Sequence, residues 1–495
     1  MLKRTRSFLV LVMLLMTVTM SAQVTTATMS GKVTAQDEPI IGATIVAIHE
    51  PSGTRYGTVT NVSGQFNLQG MRTGGPYKVE ISYVGYQTAI YKGINLLLGE
   101  NYVLNVSLKE SSELLDEVVV TASKESNMKS DRAGAIMNAN RDMISNTPTI
   151  SRSISDIMRL SPQGADVGNG FAVGGGNYRQ SFVTVDGAAF NNTFGLGGNL
   201  PANGSPISLD ALEQVTVAVT PFDVRQSGFT GGAINAVTRS GDNQFRGTAY
   251  MYFNNENLKG SKVDDYELLR SKAQYYTYGA SFGGPIIKDK LFFFVNGEYE
   301  DNVTAGSNYR PRTALGESYS GGNIHRPLQS DMDDMRGFLL NKYNFDPGKY
   351  NDYSTDTPAY RVMARVDWNA NQNNKVSFRF TKTHTKDSNF PTSSVSPLST
   401  SALYPGGTST EVIDGKPVGT IAPGQGRTSK YALSFSNSNY YQVRDFTSVA
   451  GEWNSRMAQG AMNNMLRFAY SYQDEPRSFD GPLFPTVDIL QDGAV

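Results

Sequence analysis

Phe245-Arg246-Gly247-Thr248-Ala249-Tyr250-Met251-Tyr252-Phe253 is the stretch whose reading decides the fold. Phe245, Gly247, Ala249, Met251 and Phe253 share one parity, opposed by Arg246, Thr248, Tyr250 and Tyr252. Successive side chains on a strand point to opposite faces, so this segment predicts a strand with one apolar and one polar side. The pattern returns at Tyr275 to Gly283 (apolar Tyr276, Tyr278, Ala280, Phe282) and at Leu291 to Glu300. It returns again at Arg361 to Trp368 (Val362, Ala364, Val366, Trp368) and Lys375 to Thr383 (Val376, Phe378, Phe380, facing Arg379 and Thr381). Phe446 to Trp453 and Asn464 to Tyr472 (Leu466, Phe468, Tyr470, Tyr472) complete the set. Lipid outside and water inside demand such two-faced strands. A soluble sandwich or propeller also explains the alternation taken alone.

Connection lengths discriminate between them. Residues 254–274, 301–359 and 385–443 are long connections, while 284–290, 369–374 and 454–462 are short. Long and short alternate, as expected of an outer-membrane barrel with short periplasmic turns and long outer loops. Ala432 to Phe435 has the composition of an extra strand, which would disturb this order. These strands cannot close a barrel, an open edge in lipid is costly, and plugged transporters have about 22 strands. The chain also stops at Asp492-Gly493-Ala494-Val495, not at an aromatic-ended strand. The expectation is an N-terminal fragment or truncated product of a protein about twice as long. Strands supplied by other chains are the alternative.

Bulk composition excludes several functions. Across 495 residues, Lys+Arg 44 against Asp+Glu 45 leaves a net charge of −1, so no nucleic-acid footprint is present. Cysteine is absent, which removes disulfides and thiolate metal sites. His49, His325 and His384 are scattered and lack metal-ligand spacing. Lys3, Arg4 and Arg6, then the apolar run Phe8 to Met20 and Ser21-Ala22, form a secretory signal peptide cleaved after Ala22. No other stretch approaches the length of a membrane helix, so membrane crossing would use strands.

Residues 29–108 read as a small β-sandwich of about seven strands. The strands expected are Met29 to Thr34, Ala43 to Ile48, Thr58 to Thr60, Gln65 to Leu68, Tyr77 to Tyr83 and Tyr102 to Leu108. Residues 131–243 read as mixed α/β, with a helix at Arg152 to Leu160 and a strand at Ser181 to Gly187. A short helix follows at Ser208 to Ala211, then strands at Val215 to Val219 and, after a glycine bend, up to Val237. Between these domains lies Leu115-Asp116-Glu117-Val118-Val119-Val120-Thr121-Ala122, flanked by Ser, Lys and Glu. A β-branched segment in a polar leader suits backbone pairing with the open edge of a partner's sheet. An ordinary short strand of a neighbouring domain is the alternative.

Several of these segments resemble those of one family. Leu115 to Ala122 resembles the TonB box of TonB-dependent outer-membrane receptors, in the form common among Bacteroidetes. Ser30-Gly31-Lys32-Val33, Pro39 to Thr44, Asn61 to Phe66 and Tyr83-Val84-Gly85-Tyr86 resemble the carboxypeptidase-regulatory-like domain that precedes many such receptors. The Val-Asp-Gly turn at Val185 to Gly187 and the run Gly231 to Gly241 resemble the receptor plug. Gly174 to Arg179 and Pro221 to Gly232 look more like the Oar-like branch than the sugar-importing SusC type. Gly283 to Phe292 is the most family-like piece of the barrel.

The resemblance implies a mainly β protein in five parts. These are a signal peptide (1–22), a regulatory-like sandwich (23–110), a linker with the TonB box (111–130), a plug (131–243) and the first third of an antiparallel transmembrane β-barrel (244–495). It implies the outer membrane of a Gram-negative bacterium, of Bacteroidetes type, with the sandwich and box in the periplasm. TonB and its inner-membrane motor would pull on Asp116 to Thr121, and an outside ligand would meet Asn177, Tyr178, Arg179 and Asn191 to Phe194 (Asn191 and Asn192 foremost) at the plug apex. Plug–barrel bonding and turn formation are the other roles open to those residues. A surface lipoprotein lid is compatible with the family.

No enzyme chemistry is visible, since neither a nucleophile with a base nor a metal cluster is spelled out. Gly174-Gly175-Gly176 lacks the following Lys and Ser/Thr of a phosphate loop. Asp331, Asp333 and Asp334 offer clustered oxygens for Ca²⁺ in an outer loop, or acids at a solvated helix start. Asp264-Asp265 has only the second of these readings, acids at a solvated helix start. The expectation is energy-coupled import of a ligand too large or scarce for porins, with no cofactor. An adhesin, or a matrix-export factor, on the same scaffold is the rival, and a secreted enzyme a distant third.

Overall fold

The computed structural model describes residues 24–110, 118–121, 136–149, 152–167, 170–192, 198, 200–202, 205–219, 230–258, 260, 262–263, 266–267, 272–307, 309–319, 323–391, 412–413, 416–417, 432–457 and 462–485. The signal peptide, most of the linker and Asp264-Asp265 lie outside the described residues.

The sandwich forms because its strands alternate apolar and polar residues, so that two sheets each turn one face inward. Met29, Val33, Ile45, Phe66, Leu68, Tyr77, Val79 and Ile81 form its dry interior. One sheet centres on Ala27–Ala35, paired with Gln65–Met71 and, in parallel, with Asn101–Val103 and Val106–Ser107. The other runs in the order 118–121, Ala89–Leu96, Gly74–Ser82, Thr44–His49, Thr54–Val59. Three details differ from the sequence reading. The strand expected at Thr58 to Thr60 starts earlier and spans Thr54–Val59. The strand expected at Tyr102 to Leu108 is split, because the Leu104 carbonyl turns in over Gly31. The strand Ala89–Leu96 was not expected, since Ala89 and Ile90 are both buried and Gly93 (φ 78°) shifts the phase of the alternation.

His49 is buried in this domain, with Nδ1 2.7 Å from Ser52 Oγ and its ring edge-on to Tyr77. Burial, reinforced by the charge of Arg72, holds its imidazole well below the ordinary histidine range. A depressed folded-state value means the unfolded chain binds the proton first, so the neutral ring's contribution is lost as pH falls below about 6.5. Hydrogen exchange across residues 44–82, corrected for intrinsic rates, is expected to rise between pH 7 and 5 in the wild type. The His49→Gln variant is expected to show a flatter profile, and equal profiles would contradict this account.

The region expected to be the plug, called the plug below, holds a five-stranded mixed sheet in the order Ile136–Ala139, Leu212–Ala218, Ala233–Thr238, Phe182–Val185, Ala188–Ala189. The helix expected at Arg152 to Leu160 is the shorter Ile154–Met158, capped at Ser153, and the helix at Ser208 to Ala211 is a single 3-10 turn. Its apolar cluster does not end at the domain boundary. Ile154, Phe190, Leu209 and Ile234 share one core with Phe294, Met363, Phe446 and Ala450 of the barrel wall.

That wall is one antiparallel sheet in sequence order: Arg246–Asn255, Gln274–Ile287, Leu291–Ala305, Ala359–Asn369, Asn374–Asn389, Tyr440–Met457, Met462–Asp474. The strands are longer than sequence alternation suggested, because they continue above the apolar band into polar residues such as Asp387 and Asn389. Ala432 to Phe435 is not a strand, so the up-down order stands. Parity is as expected. Val362, Val366, Trp368, Phe378, Trp453, Leu466 and Phe468 face outward and are exposed, while Arg361, Met363, Arg379, Thr381 and Phe446 face the plug and are buried. A cross-strand row Leu291, Trp368, Val376, Trp453, Leu466 marks one rim of the outer surface. The row Tyr278, Tyr299, Tyr360 marks the other. Eight residues separate Tyr360 from Trp368, roughly 26 Å along the strand and about 20 Å after tilt, which matches a lipid-facing band between aromatic girdles. No helix among the described residues is long and apolar enough to cross a membrane.

Candidate functional site

The candidate site lies where plug meets wall. Strand parity sends the polar residues of each wall strand inward, and loops of the plug receive them. Arg361 is the centre of the first contact: its Nε donates to the Ser205 carbonyl (2.6 Å), and Nη1 reaches Glu298 (3.0 Å) and Glu300 (2.6 Å). Glu298 also accepts from plug Ser208 Oγ (3.0 Å) and from Tyr250 OH (2.6 Å). At a second contact, plug Asp210 meets Arg141 at 2.8 Å and Thr248 of the wall at 2.8 Å. Burial favours the neutral acid there, but hydrogen bonds from Arg141, Ser281 and Thr248 outweigh it and hold the Asp210 carboxyl below its usual range.

Asp186 forms the third contact. It sits in the Val-Asp-Gly turn with φ 46°, followed by Gly187 at φ 76°. Its carboxylate accepts from Thr238 Oγ1 at 2.6 Å and faces Arg365 (3.4 Å) and Arg379 (3.5 Å) of the wall. Arg379 also donates to the Val185 carbonyl (2.7 Å). From the sequence, Thr248, Tyr250 and Arg379 were read only as polar-face residues and Asp186 only as part of a turn, and Arg361, Glu298 and Glu300 were not singled out. Their signal was visible nonetheless: Arg and Glu at inward parity among Thr and Ser, opposite a plug turn containing Asp.

The expected apex residues fall into two groups. Asn177 Oδ1 accepts from the Arg179 amide and caps the 3-10 turn Tyr178–Gln180, while Arg179 Nε donates to Tyr178 OH. Asn191 is engaged at both ends, accepting from Val183 N (2.7 Å) and donating to the Ser181 carbonyl (2.9 Å). Asn192 accepts from Gln473 of the wall (3.1 Å). Phe194 lies outside the described residues. Asp331, Asp333 and Asp334 lie on the helix Gln329–Tyr343 of an outer loop, and Asp333 accepts from Tyr350 OH (2.6 Å). Among the described residues no three His, Asp or Glu side chains gather as metal ligands.

Below the wall, the sandwich seats against the short turns. Lys375 Nζ lies 3.1 Å from the centre of the Tyr56 ring, Asn369 donates to Thr54 Oγ1 (2.9 Å), and Arg72 donates to the Gly241 carbonyl (3.1 Å). A cavity of about 280 Å³ remains between sandwich, plug and wall, lined by Arg72, Arg239, Arg365 and Asp367 among others. Of the expected coupling segment, Val118–Thr121 is described, as a strand. Leu115, Asp116, Glu117 and Ala122 lie outside the described residues.

Residues 28–109 match the carboxypeptidase regulatory-like domain, and residues 237–329 match an outer membrane beta barrel domain. The TonB-dependent transporter Oar of Myxococcus xanthus is 27% identical over 256 residues, covering 50% of this chain and 22% of that protein. The TonB-dependent receptor SusC of Bacteroides thetaiotaomicron is 29% identical over 269 residues, covering 51% of this chain and 24% of that protein. The chain therefore matches less than a quarter of the length of these curated relatives. The outer membrane transporter YddB from Escherichia coli superposes with TM-score 0.43 at 11% identity, over 68% of this chain and 38% of that one. The class these two matches describe is a regulatory-like domain ahead of an outer-membrane β-barrel domain. Within that class, the chain is related to the TonB-dependent receptors of the Gram-negative outer membrane.

Proposed function

We propose that this chain serves energy-coupled import across the outer membrane, with Leu115 to Ala122 as the segment that TonB grips. The reading is supported above all by how the plug is held. The plug shares an apolar core with the wall and is bonded to it by Arg361–Ser205, Glu298–Ser208, Asp210–Thr248 and Asp186–Arg379. A stopper held by a shared apolar core and several polar contacts costs free energy to displace, so opening a path requires work from outside. No ATP is at hand in the periplasm, and a β-branched segment ahead of the plug provides a backbone to pull on. The ligand would be one that porins admit poorly, met at Tyr178 and Arg179 on the plug's exposed turn.

An adhesin or export factor on the same scaffold would need the wall and the outer loops but not the coupling segment. Deleting residues 115–122 from the full-length protein separates the two. Uptake-dependent growth is expected to fail, with normal amounts of protein in the outer membrane and unchanged cell adhesion. Unimpaired growth together with lost adhesion would overturn the import reading.

A further inference from the structure

Val118–Thr121 is already paired. It lies parallel to the sandwich strand Ala89–Leu96, with Val118 opposite Ala89, Val119 opposite Ile90, Val120 opposite Tyr91 and Thr121 opposite Lys92. It is the outermost strand of that five-stranded sheet. We infer that the edge of strand Ala89–Leu96 is a binding site for the chain's own coupling segment, which it holds as an added strand until an outside strand takes it. The inference rests on the coupling role proposed above for residues 115–122.

Three observations carry it. Strand addition reads backbone and β-propensity more than side-chain identity, so a Val-Val-Val segment suited to one open edge suits another. An uncovered edge strand exposes unpaired N–H and C=O groups, and the coupling segment covers the one left by Ala89–Leu96. The site also has a fixed position. Leu98, two residues beyond that strand, donates its amide to plug Gln214 (3.0 Å), and the sandwich is fastened to the wall through Tyr56 and Thr54 and to Gly241, ahead of the first wall strand, through Arg72. The parked ladder is only four residues long, short enough to be exchanged. As a tethered competitor it acts at high effective concentration, so it sets a threshold for engagement without blocking it.

No cysteine occurs in these 495 residues, and any beyond them is replaced before the test. Lys92→Cys with Thr121→Cys places thiols on facing residues, whereas Lys92→Cys with Val118→Cys sets them three residues out of register, beyond disulfide reach. Both pairs are introduced into the full-length protein, oxidised with copper phenanthroline, and assayed for binding of the purified periplasmic domain of the same bacterium's TonB. The in-register pair is expected to cross-link, to weaken that binding at least about tenfold, and to recover with dithiothreitol. The out-of-register pair is expected to do neither. Cross-linking no better in register than out of it overturns the inference. So does efficient cross-linking with unchanged binding, because the outer edge of the parked strand would then suffice for TonB. If the reduced protein does not bind the TonB domain at all, it is the coupling role that fails, and the cross-linking yield still decides the pairing.

Discussion

Replacing Arg361 with Ala is expected to loosen the plug in its seat, at a cost of about 3–5 kcal/mol. The side chains of Arg361 and Glu298 are 5% and 1% exposed, and that of Glu300 is 14% exposed. Without the guanidinium, two carboxylates face each other with no compensating charge, and the Ser205 carbonyl loses its donor. Glu298 keeps Ser208 and Tyr250, so the damage falls on the charge balance and not on every hydrogen bond. The triple variant Arg361→Met, Glu298→Gln, Glu300→Gln removes all three charges and is expected to recover most of the loss, because breaking a buried pair costs more than replacing it. Thermal unfolding in detergent and protease sensitivity of residues 136–238 measure both. An Arg361→Ala protein as resistant as wild type would show that the contact does not hold the plug.

The second large effect is expected at Gly31. A Cβ there would sit 1.8 Å from the Leu104 carbonyl oxygen and 2.9 Å from Phe66 Cε1. The nearest obstacle is backbone, held by Leu104 N donating to the Ser30 carbonyl, so no rotamer change relieves it. Gly31→Ala is therefore expected to destabilise the sandwich by about 3 kcal/mol, at the upper end of overpacking costs. Gly57→Ala is the control, since its nearest neighbour, the Ile45 carbonyl, lies at an ordinary 3.7 Å. Hydrogen exchange in residues 27–71 is expected to rise sharply in the first variant and hardly in the second. Equal exchange would mean that the Leu104 crossing adjusts freely.

The wall was the most legible part of the sequence because its period of two is imposed by solvent on both sides. Val362, Val366 and Trp368 must meet lipid, and Arg361 and Arg365 must not, so each strand declares its faces without reference to its neighbours. The strand Ala89–Leu96 was illegible for the opposite reason. Gly93 shifts its alternation, and it becomes a strand only because Gly74–Ser82 and Val118–Thr121 flank it. The strand Ile136–Ala139 is likewise defined by its partner Leu212–Ala218 more than by its own four residues. At the candidate site, chemistry was legible and pairing was not. Asp186 could be read as a turn residue, but its approach to Arg365 and Arg379 spans 179 and 193 positions and arises only when plug and wall are assembled.

The central claim is that the apolar parity of the wall faces lipid while the polar parity faces a plug. The two tryptophans of this chain report on it directly. Trp368 and Trp453 are on the outward parity, in one cross-strand row at the rim of the short turns, and are 50% and 43% exposed. Fluorescence of the protein in liposomes, with Trp368→Phe and Trp453→Phe variants to assign each signal, is the measurement. Phospholipids brominated near the headgroup end of the chain are expected to quench both strongly, and aqueous iodide to quench them little. Strong quenching by iodide with indifference to brominated lipid would contradict the membrane wall, and with it the plug, the handle and the import they serve.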